Sequence, residues 1–324
     1  MNTLFLGGFA AGVAPRILAK VTEKLDTTIL ADEDDSQRLV PALAEAEIVV
    51  GHIWRAGFPT APRLRLLQSR AAGLDLIDLP SLPGGLTVCN VFGHEPAIAE
   101  YVLMNILVLT HRLFDTVTAF RSGSWNAGRG EGGSPHGEML GRAIGIIGYG
   151  RIAREVAKRA AGFGCHVLAA NRSPIADPAP AVEVFPLAEL DRMLPLCDAL
   201  VIACGLAPET RGLIDTRRIG LMKSGALVIN IARAPIVDEE ALYGALRDRR
   251  LGGAALDVWW HYPTPAELQP RPSRFPFHEL PNVMMTPHCS NASDGTAERR
   301  WSAVASNLDH FVRGEPLANI VATT

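Results

Sequence analysis

Cysteine, aromatic residues and net charge are all scarce in this chain of 324 residues. The five cysteines are scattered and never spaced as Cys-x-x-Cys, which argues against a disulfide framework or a zinc site. The formal net charge is −3 and no run rich in lysine and arginine occurs, so a surface for nucleic acid or an anionic membrane is not indicated. We therefore expect a cytoplasmic protein with no nucleic-acid or membrane partner.

Long hydrophobic runs, internal repeats and low-complexity tracts are also missing. The stretch from Ala99 to Thr110 is too short and too interrupted to cross a membrane. The apolar start MNTLFLGGFAAGVAPRIL lacks the basic segment of a signal peptide, so it predicts a first strand and helix instead. No two of the nine histidines have the spacing of metal ligands, which makes a metal-dependent enzyme a weak alternative.

Short apolar runs alternate with helical patterns along the whole chain. This alternation predicts βαβ units with buried parallel sheets, and the length predicts two domains. A long helix is predicted from about Pro96 to Phe120, then a glycine-rich arm over residues 121–141, and a last helix from Asp294 to Arg313. The predicted strands are Thr3–Leu6, Ile48–Gly51, Leu66–Ser69, Ala143–Ile147, His166–Ala169, Ala199–Ala203, Leu227–Ile231, Gly253–Leu256 and Val283–Thr286.

The sharpest local motif is a glycine-containing turn in AIGIIGYGRIAREVAKRAAGFG, residues 143–164. An apolar strand runs into Gly148, which permits a tight turn, and Gly150 lets the backbone approach a pyrophosphate. Ala153 is the small residue at which helix and strand pack closely. The helix begins at Arg151 and Ile152, where free N–H groups can bind phosphate. The motif predicts a dinucleotide-binding domain.

The end of the following strand bears on the choice between NAD and NADP. Folds that bind NAD usually have an acid there, which accepts from the ribose 2′-hydroxyl, whereas this chain has Asn171, Arg172 and Ser173. A neutral asparagine does not repel a 2′-phosphate, and Arg172 can bind one through two hydrogen bonds. NADP is therefore slightly favoured. The alternative is that Arg172 stacks on adenine or faces solvent and NAD is accepted.

Five further motifs accompany this turn. They are SRAAGLDLID (69–78), NVFGHEPAIAEYVL (90–103), MKSGALVINIARAPIVDEEAL (222–242), GGAALDV (252–258) and NVMMTPH (282–288). Together with GYGRIA they resemble the D-isomer-specific 2-hydroxyacid dehydrogenases, a family that includes glyoxylate/hydroxypyruvate reductases and formate dehydrogenases. The resemblance covers nearly the whole chain and is specific for the family, but not for one member.

The resemblance implies an α/β fold of two doubly wound, Rossmann-like parallel-sheet domains. The cofactor domain (99–286) would be inserted into the substrate domain (1–98 and 287–324), with closure about hinges near residues 97–99 and 286–290. The implied activity is nicotinamide-dependent interconversion of a 2-keto acid and a 2-hydroxy acid. The implied assembly is a homodimer, to which the helix from Pro96 and the arm around Trp125 would contribute.

The same resemblance assigns roles to individual residues. Arg233 is similar to the family's arginine for the substrate carboxylate and carbonyl oxygen, and His288 is similar to its acid/base. The backbone N–H groups of Ala72, Gly73 and Leu74 resemble the loop that holds the substrate carboxylate. Asp257 resembles an acid near the nicotinamide amide, unless it only caps a turn. The further implied cofactor contacts are Cys204, Ile231 and Ala232.

The stretch Asp257-Val-Trp-Trp-His-Tyr262 departs from the family pattern, in which a glutamate pairs with the catalytic histidine. Tyr262 occupies that position. Without a carboxylate partner, His288 should titrate near its ordinary pKa of about 6.5, so roughly a quarter is protonated at pH 7. Three alternatives remain open. Tyr262 orients His288 through its hydroxyl, another residue such as His261 or Glu95 replaces the glutamate, or the reaction needs no proton donor.

The residues expected around the substrate also leave alternatives. Trp259, Trp260 and Tyr262 would form an apolar wall for a larger substrate, or the tryptophans pack as core. His94 would line the same pocket or cap the following helix. Formate oxidation is a lesser alternative, because His94 stands where that subgroup has an asparagine. A nicotinamide-sensing binding protein without turnover is the alternative from another class.

Overall fold

The computed structural model describes residues 1–125, 135–179, 182–264 and 266–324. In these ranges the strands are β1 (Asn2–Leu6), β2 (Asp26–Leu30), β3 (Ile48–Val50), β4 (Leu66–Gln68), β5 (Thr87–Cys89), β6 (Ala143–Ile147), β7 (His166–Asn171), β8 (Val182–Pro186), β9 (Ala199–Ile202), β10 (Leu227–Asn230), β11 (Gly253–Leu256), β12 (Val283–Met285) and β13 (Ile320–Thr323). The helices are α1 (Gly8–Leu18), α2 (Ser36–Glu45), α3 (Glu95–Thr110), α4 (Leu113–Arg121), α5 (Arg151–Gly162), α6 (Leu190–Met193), α7 (Thr216–Leu221), α8 (Glu239–Arg247) and α9 (Asp294–Arg313).

The chain divides into two compact units. The first comprises Met1–His94 and Ser293–Thr324, and the second is Glu95–Ala292. The second unit therefore interrupts the first in sequence. The divisions fall at 94/95 and 292/293, whereas we expected them at 98/99 and 286/287, so His288 belongs to the second unit.

The sheet of the first unit has the strand order β13-β5-β4-β3-β1-β2. All neighbouring pairs are parallel except β13 with β5. Alternate residues of β1 face opposite layers, because Leu4 packs beneath α2 whereas Phe5 packs beneath α1 and α9. Both faces of the sheet are thus covered by helices, as parallel sheets require.

The sheet of the second unit has the order β12-β11-β10-β9-β6-β7-β8 and is parallel throughout. One face packs against α3 and α5, and the other packs against α6, α7 and α8. Three isoleucines of β6 are buried among these two layers, which explains why this strand reads as an apolar run. Each unit is a Rossmann-like α/β layer structure.

The predicted single helix from Pro96 to Phe120 is wrong. The chain instead forms α3 and α4, which are separated by a turn in which Arg112 adopts the left-handed conformation with φ 50°. No glycine or proline marks this turn in the sequence. Part of the predicted glycine-rich arm, residues 126–134, lies outside the described residues.

Within the described ranges, no single helix is long and apolar enough to cross a membrane; α3 and α4 pass that test only together, as a pair bent by 59°. The same residues contain no group of three or more His, Cys, Asp or Glu side chains that could hold a metal ion. All five cysteines are free thiols.

Candidate active site

The glycine-containing turn lies between β6 and α5, at the carboxyl edge of the second sheet. Gly148 has φ 88°, and a Cβ there would lie 2.7 Å from Cα of Cys204, so two backbone segments approach each other through this glycine. A Cβ at Gly150 would meet no protein atom within 4 Å. Gly150 is the N-cap of α5 and makes no side-chain capping hydrogen bond, and the N-terminus of a helix presents backbone N–H groups that suit an anion.

A cleft of about 420 Å³ opens above this turn. Five of the predicted cofactor residues line it: Gly148, Gly150, Asn171, Arg172 and Cys204. Others do not line this cleft. Ile152 packs against the core and Ser173 is exposed. The other predicted cofactor residues that lie outside the lining are Arg151, Ile231, Ala232 and Asp257. The lining residues that the sequence did not indicate include Leu187, Leu206, Glu209 and Thr210. Three of these follow β9, the strand beside β6, and this adjacency is the signal that could have identified them.

The edge of the cleft nearest β7 is already occupied by protein hydrogen bonds. The Asn171 side chain accepts from the Tyr149 backbone N–H at 3.1 Å and donates to the Ser173 carbonyl at 2.8 Å. Arg172 pairs with the Glu209 carboxylate at 2.6 Å, and both side chains are exposed. The arginine that we expected to attract a 2′-phosphate therefore has an acid beside it.

A buried carboxylate fixes the loop that carries His288. Asp257 directly follows β11 and is fully buried. Its Oδ1 accepts from the Thr286 hydroxyl at 2.6 Å and from the Cys289 N–H at 2.8 Å, and its Oδ2 accepts from the Ser290 N–H at 3.0 Å. These bonds hold His288 in the left-handed conformation, φ 56°, which is strained for a histidine. Asp257 thus caps this turn, and its contact with nicotinamide remains a prediction.

Tyr262 and His288 are hydrogen-bonded to each other. The tyrosine hydroxyl lies 2.9 Å from His288 Nδ1 and accepts weakly from the Trp259 N–H at 3.3 Å. A phenolic oxygen can accept from Nδ1–H of both the imidazolium and the neutral Nδ1–H tautomer, so this contact suits both protonation states. In either state Nδ1 is engaged, and Nε2 is the nitrogen that can exchange a proton with a ligand.

The pKa of His288 is lower than we expected from the sequence. Burial lowers it, and the positive charge of Arg233 lowers it further, while Asp257 acts in the opposite direction. Burial raises the pKa of Tyr262 above its ordinary value, so the tyrosine stays neutral near pH 7 and supplies no charge to the histidine. The expectation of an ordinary pKa was wrong because the environment, and not only the missing carboxylate, disfavours the imidazolium.

Arg233 follows β10 in a short turn at the same edge of the sheet. The Asn230 side chain closes this turn, donating to the Arg233 carbonyl at 3.1 Å and accepting from the Ala232 N–H at 3.1 Å. The guanidinium is half-buried and donates to the Ala232 carbonyl at 2.8 Å. Its charge affects the pKa of both Tyr262 and His288, so the second unit brings together the arginine and histidine that the sequence predicted.

The neighbouring aromatic residues serve packing. Trp259 is buried and its indole N–H donates to the Thr286 carbonyl at 2.8 Å. Trp260 stacks on Phe277, with ring centroids 5.7 Å apart. These contacts account for both tryptophans as core, and a substrate contact for Trp260 remains a prediction. His261 is exposed.

The first unit holds the other predicted substrate residues. The backbone N–H groups of Ala72, Gly73 and Leu74 donate to no acceptor among the described residues, which leaves them available to a carboxylate. His94 is buried and its ring is nearly parallel to that of Phe92, with centroids 6.3 Å apart.

A glycine turn that opens a helix beside a cleft of a parallel sheet is typical of a dinucleotide-binding protein. Comparison with known proteins is more specific. Residues 103–290 match the family described as "D-isomer specific 2-hydroxyacid dehydrogenase, NAD binding domain". The chain belongs to this family, and it is a nicotinamide-dependent oxidoreductase.

The similar proteins are named for different activities. The chain is 35% identical over 272 residues to glyoxylate reductase of Thermococcus onnurineus, covering 80% of this chain and 76% of that one. It is 33% identical over 285 residues to mitochondrial formate dehydrogenase 2 of Oryza sativa, covering 84% and 72%. A probable 2-hydroxyacid dehydrogenase of Rhizobium etli, solved with NADP, HEPES and L(+)-tartaric acid, has TM-score 0.78 and 26% identity over 99% of this chain and 98% of that chain.

Proposed function

We propose that this enzyme transfers a hydride between nicotinamide and C2 of a 2-keto or 2-hydroxy acid. The observation that carries the proposal is the cluster of Arg233, Tyr262 and His288 at the carboxyl edge of one sheet, with a buried aspartate fixing the histidine loop. This cluster contains a donor for a carbonyl oxygen and an acid/base with one free nitrogen. The named relatives include glyoxylate reductases, which is consistent with it.

Arg233, His288 and Tyr262 have different roles in the reduction. Reduced nicotinamide, when bound, supplies the hydride to the carbonyl carbon. The Arg233 guanidinium binds the carbonyl oxygen and a substrate carboxylate oxygen through its fork of N–H donors. The His288 imidazolium gives its Nε2 proton to the oxygen that gains the C=O electron pair, and it becomes neutral while Tyr262 holds Nδ1. Oxidation of the hydroxy acid runs through the same groups in reverse, with neutral His288 as base.

Turnover of a small panel tests the proposal. Absorbance of the reduced nicotinamide is followed with NADH and with NADPH, against glyoxylate, hydroxypyruvate, pyruvate and phenylpyruvate from about pH 5 to 8, and formate is tested with the oxidised cofactors. Reduction of a keto acid supports the proposal. Oxidation of formate alone, or tight cofactor binding without any turnover, rejects it in favour of formate dehydrogenase activity or a sensing role.

Replacing Tyr262 with glutamate is expected to move reduction to higher pH. Reduction needs protonated His288, so kcat/KM falls as pH rises through the His288 pKa, and in the natural enzyme burial and Arg233 bring that fall below the ordinary value. A carboxylate at position 262 would favour the imidazolium and so raise the pKa of His288. The pH profile of kcat/KM for reduction measures the shift. Tyr262→Phe is the matched control: it removes the hydrogen bond without adding charge. An unchanged profile for Tyr262→Glu would mean that His288 is not the titrating acid.

For the cofactor, we propose that NADP or NAD binds in the cleft, with NADP slightly favoured. Arg172 supports NADP only if it leaves Glu209 to contact a 2′-phosphate. Replacing Glu209 with glutamine should therefore raise the preference for NADPH over NADH by about two- to five-fold, the range typical of an exposed ion pair. The ratio of the two kcat/KM values measures this. Glu189→Gln, which breaks the exposed pair with Arg192, is the control and should leave the ratio unchanged. A fall in the ratio would exclude Arg172 as the phosphate ligand.

We also propose a cytoplasmic homodimer. The free state of all five cysteines supports a reducing compartment. Four large apolar side chains are exposed on α4, and such a patch is typical of an interface: Leu113, Phe114, Val117 and Phe120. Trp125 packs edge-on against Phe120 with ring centroids 5.0 Å apart. Sedimentation velocity at twice the mass of the chain, and fractionation with cytoplasmic markers, are the results that this proposal requires.

A further inference from the structure

A buried chain of hydrogen bonds connects helix α3 to the loop of His288, and the proposed mechanism does not use its first member. Tyr101 on α3 is buried among the apolar residues that cover one face of the sheet of the second unit. Its hydroxyl lies 2.7 Å from Thr286 Oγ1, and the Thr286 hydroxyl donates to Asp257 Oδ1 at 2.6 Å. Asp257 also accepts from the two backbone N–H groups that follow His288.

The direction of this chain is fixed by its last acceptor. An ionised carboxylate can only accept, so Thr286 gives its single hydroxyl proton to Asp257. The Thr286 oxygen therefore accepts from Tyr101, whose hydroxyl is the donor. Burial raises the pKa of Tyr101 to about 12, and the ionisable groups that act on it are Asp257 and Cys289. The tyrosine thus keeps its proton throughout the pH range in which a histidine titrates.

Asp257 needs these donors because its carboxylate is fully buried. A buried charge is tolerated only where hydrogen bonds replace the water that it has lost. Successive hydrogen bonds polarise one another, so a Thr286 hydroxyl that accepts from Tyr101 is a stronger donor to the carboxylate. The negative charge of Asp257 raises the pKa of His288, against the effects of burial and of Arg233. Stabilising this charge therefore favours the imidazolium that reduction needs.

Helix α3 gives this chain a rigid origin. The Asn105 amide donates to the Tyr101 carbonyl at 2.8 Å within the helix, and the phenol ring is enclosed by the apolar layer. A site is held most precisely when its supports lie on regular elements. We infer that Tyr101 is a positioning residue, which acts through Thr286 to hold and stabilise the Asp257 carboxylate. The loop of His288 is thereby fixed to α3. This inference rests on the proposed function for the role of the histidine.

Tyr101→Phe removes the first donor and keeps the ring. We expect kcat for keto-acid reduction to fall by about two- to ten-fold, the range of one net hydrogen bond, with KM for the keto acid unchanged. A carboxylate with weaker donors is charged less of the time and raises the pKa of His288 less, so the pH profile of reduction should also move to lower pH. Tyr243→Phe is the control, because it removes a phenol hydroxyl from α8 of the same unit, where the ring stacks on Phe275. A lower melting temperature with unchanged kcat and pH profile would mean that Tyr101 only stabilises the fold, which overturns the inference.

A double-variant cycle tests whether Tyr101 acts through Thr286. Thr286→Val should lower kcat by about ten- to hundred-fold, the range for a donor to a charged group, and Thr286→Ser should recover most of that loss. Adding Tyr101→Phe to Thr286→Val should have no further effect, because the chain is already broken. Losses that multiply in the double variant would show that the two residues act independently, and the inference would be wrong. If Thr286→Val fails to fold, the comparison of Tyr101→Phe with Tyr243→Phe still decides.

A spectroscopic titration separates this inference from the proposed function. The pKa of His288 is measured from the ring signals of enzyme labelled with ¹⁵N-histidine and assigned with His288→Asn, which needs no turnover. Tyr262, which contacts the ring, stays neutral over this range. A lower pKa of His288 in Tyr101→Phe, with the natural value in Tyr243→Phe, supports the inference even if no keto acid is reduced, in which case the proposed function alone fails. An unchanged or higher pKa in Tyr101→Phe overturns the inference and leaves the proposed function untouched.

Discussion

Replacing His288 with asparagine is expected to lower kcat/KM for keto-acid reduction by about a hundred- to ten-thousand-fold, which is the usual contribution of a general acid. Asparagine is the suitable substitution because position 288 is in the left-handed conformation, which asparagine tolerates better than alanine. The backbone of the loop is held by Asp257 and does not depend on the imidazole. We therefore expect the melting temperature to change little while turnover is lost.

The control for this variant is His278→Ala, which removes an exposed histidine of the same unit. It should retain full activity. Cofactor affinity, measured by fluorescence titration with NADH and NADPH, should be unchanged in both variants, because His288 lies outside the lining of the cleft. Turnover by His288→Asn within about ten-fold of the natural enzyme would show that the proton comes from elsewhere and would remove His288 from the mechanism.

The strands that could be predicted from sequence are those buried on both faces. The predicted bounds of β6 and β11 agree with the structure because every residue in them, or all but the first, is enclosed. The strands that were missed are mostly at sheet edges. In β2 only Leu30 is buried, and its other residues are polar or exposed, so no apolar run marks it. The strands β8 and β13 also lie at sheet edges, with one buried residue and none respectively, whereas β5 is interior but only three residues long.

The parts of the candidate site that could be predicted are those formed by residues within one sequence motif. The roles of Gly148 and Gly150 follow from a local sequence pattern, and the structure gives both the expected surroundings. The ion pair of Arg172 with Glu209 joins residues 37 positions apart, and no motif spans that separation. The pKa of His288 depends on burial and on Arg233, which lies in another strand end, so its direction required the packed structure.

Arg233 is expected to be as important as His288, and its loss has a second effect that identifies its position. Arg233→Met removes the only guanidinium whose charge affects the pKa of His288 in the described part of the chain, together with the donors proposed for the substrate oxygens. Loss of one preorganised donor to a developing oxyanion costs about a hundred- to thousand-fold. Because the arginine is proposed to bind the carboxylate as well, we expect kcat/KM for reduction to fall by about a thousand-fold or more.

The second effect of removing Arg233 is a shift of the pH profile of reduction to higher pH. Arg233 lowers the pKa of His288, so its removal raises that pKa, and the residual reduction by Arg233→Met should persist to higher pH than in the natural enzyme. Arg233→Lys keeps the charge but not the fork, so it should lose activity without this shift. Arg271→Met, at an exposed arginine of the same unit, is the control for both readings. A large loss in Arg233→Met with no change in the pH profile would separate Arg233 from the acid and require a different proton donor. Loss of activity together with the shift would mean that Arg233 both binds the substrate and lowers the pKa of His288. The arginine that binds the keto acid tightly would then also make the catalytic histidine harder to protonate.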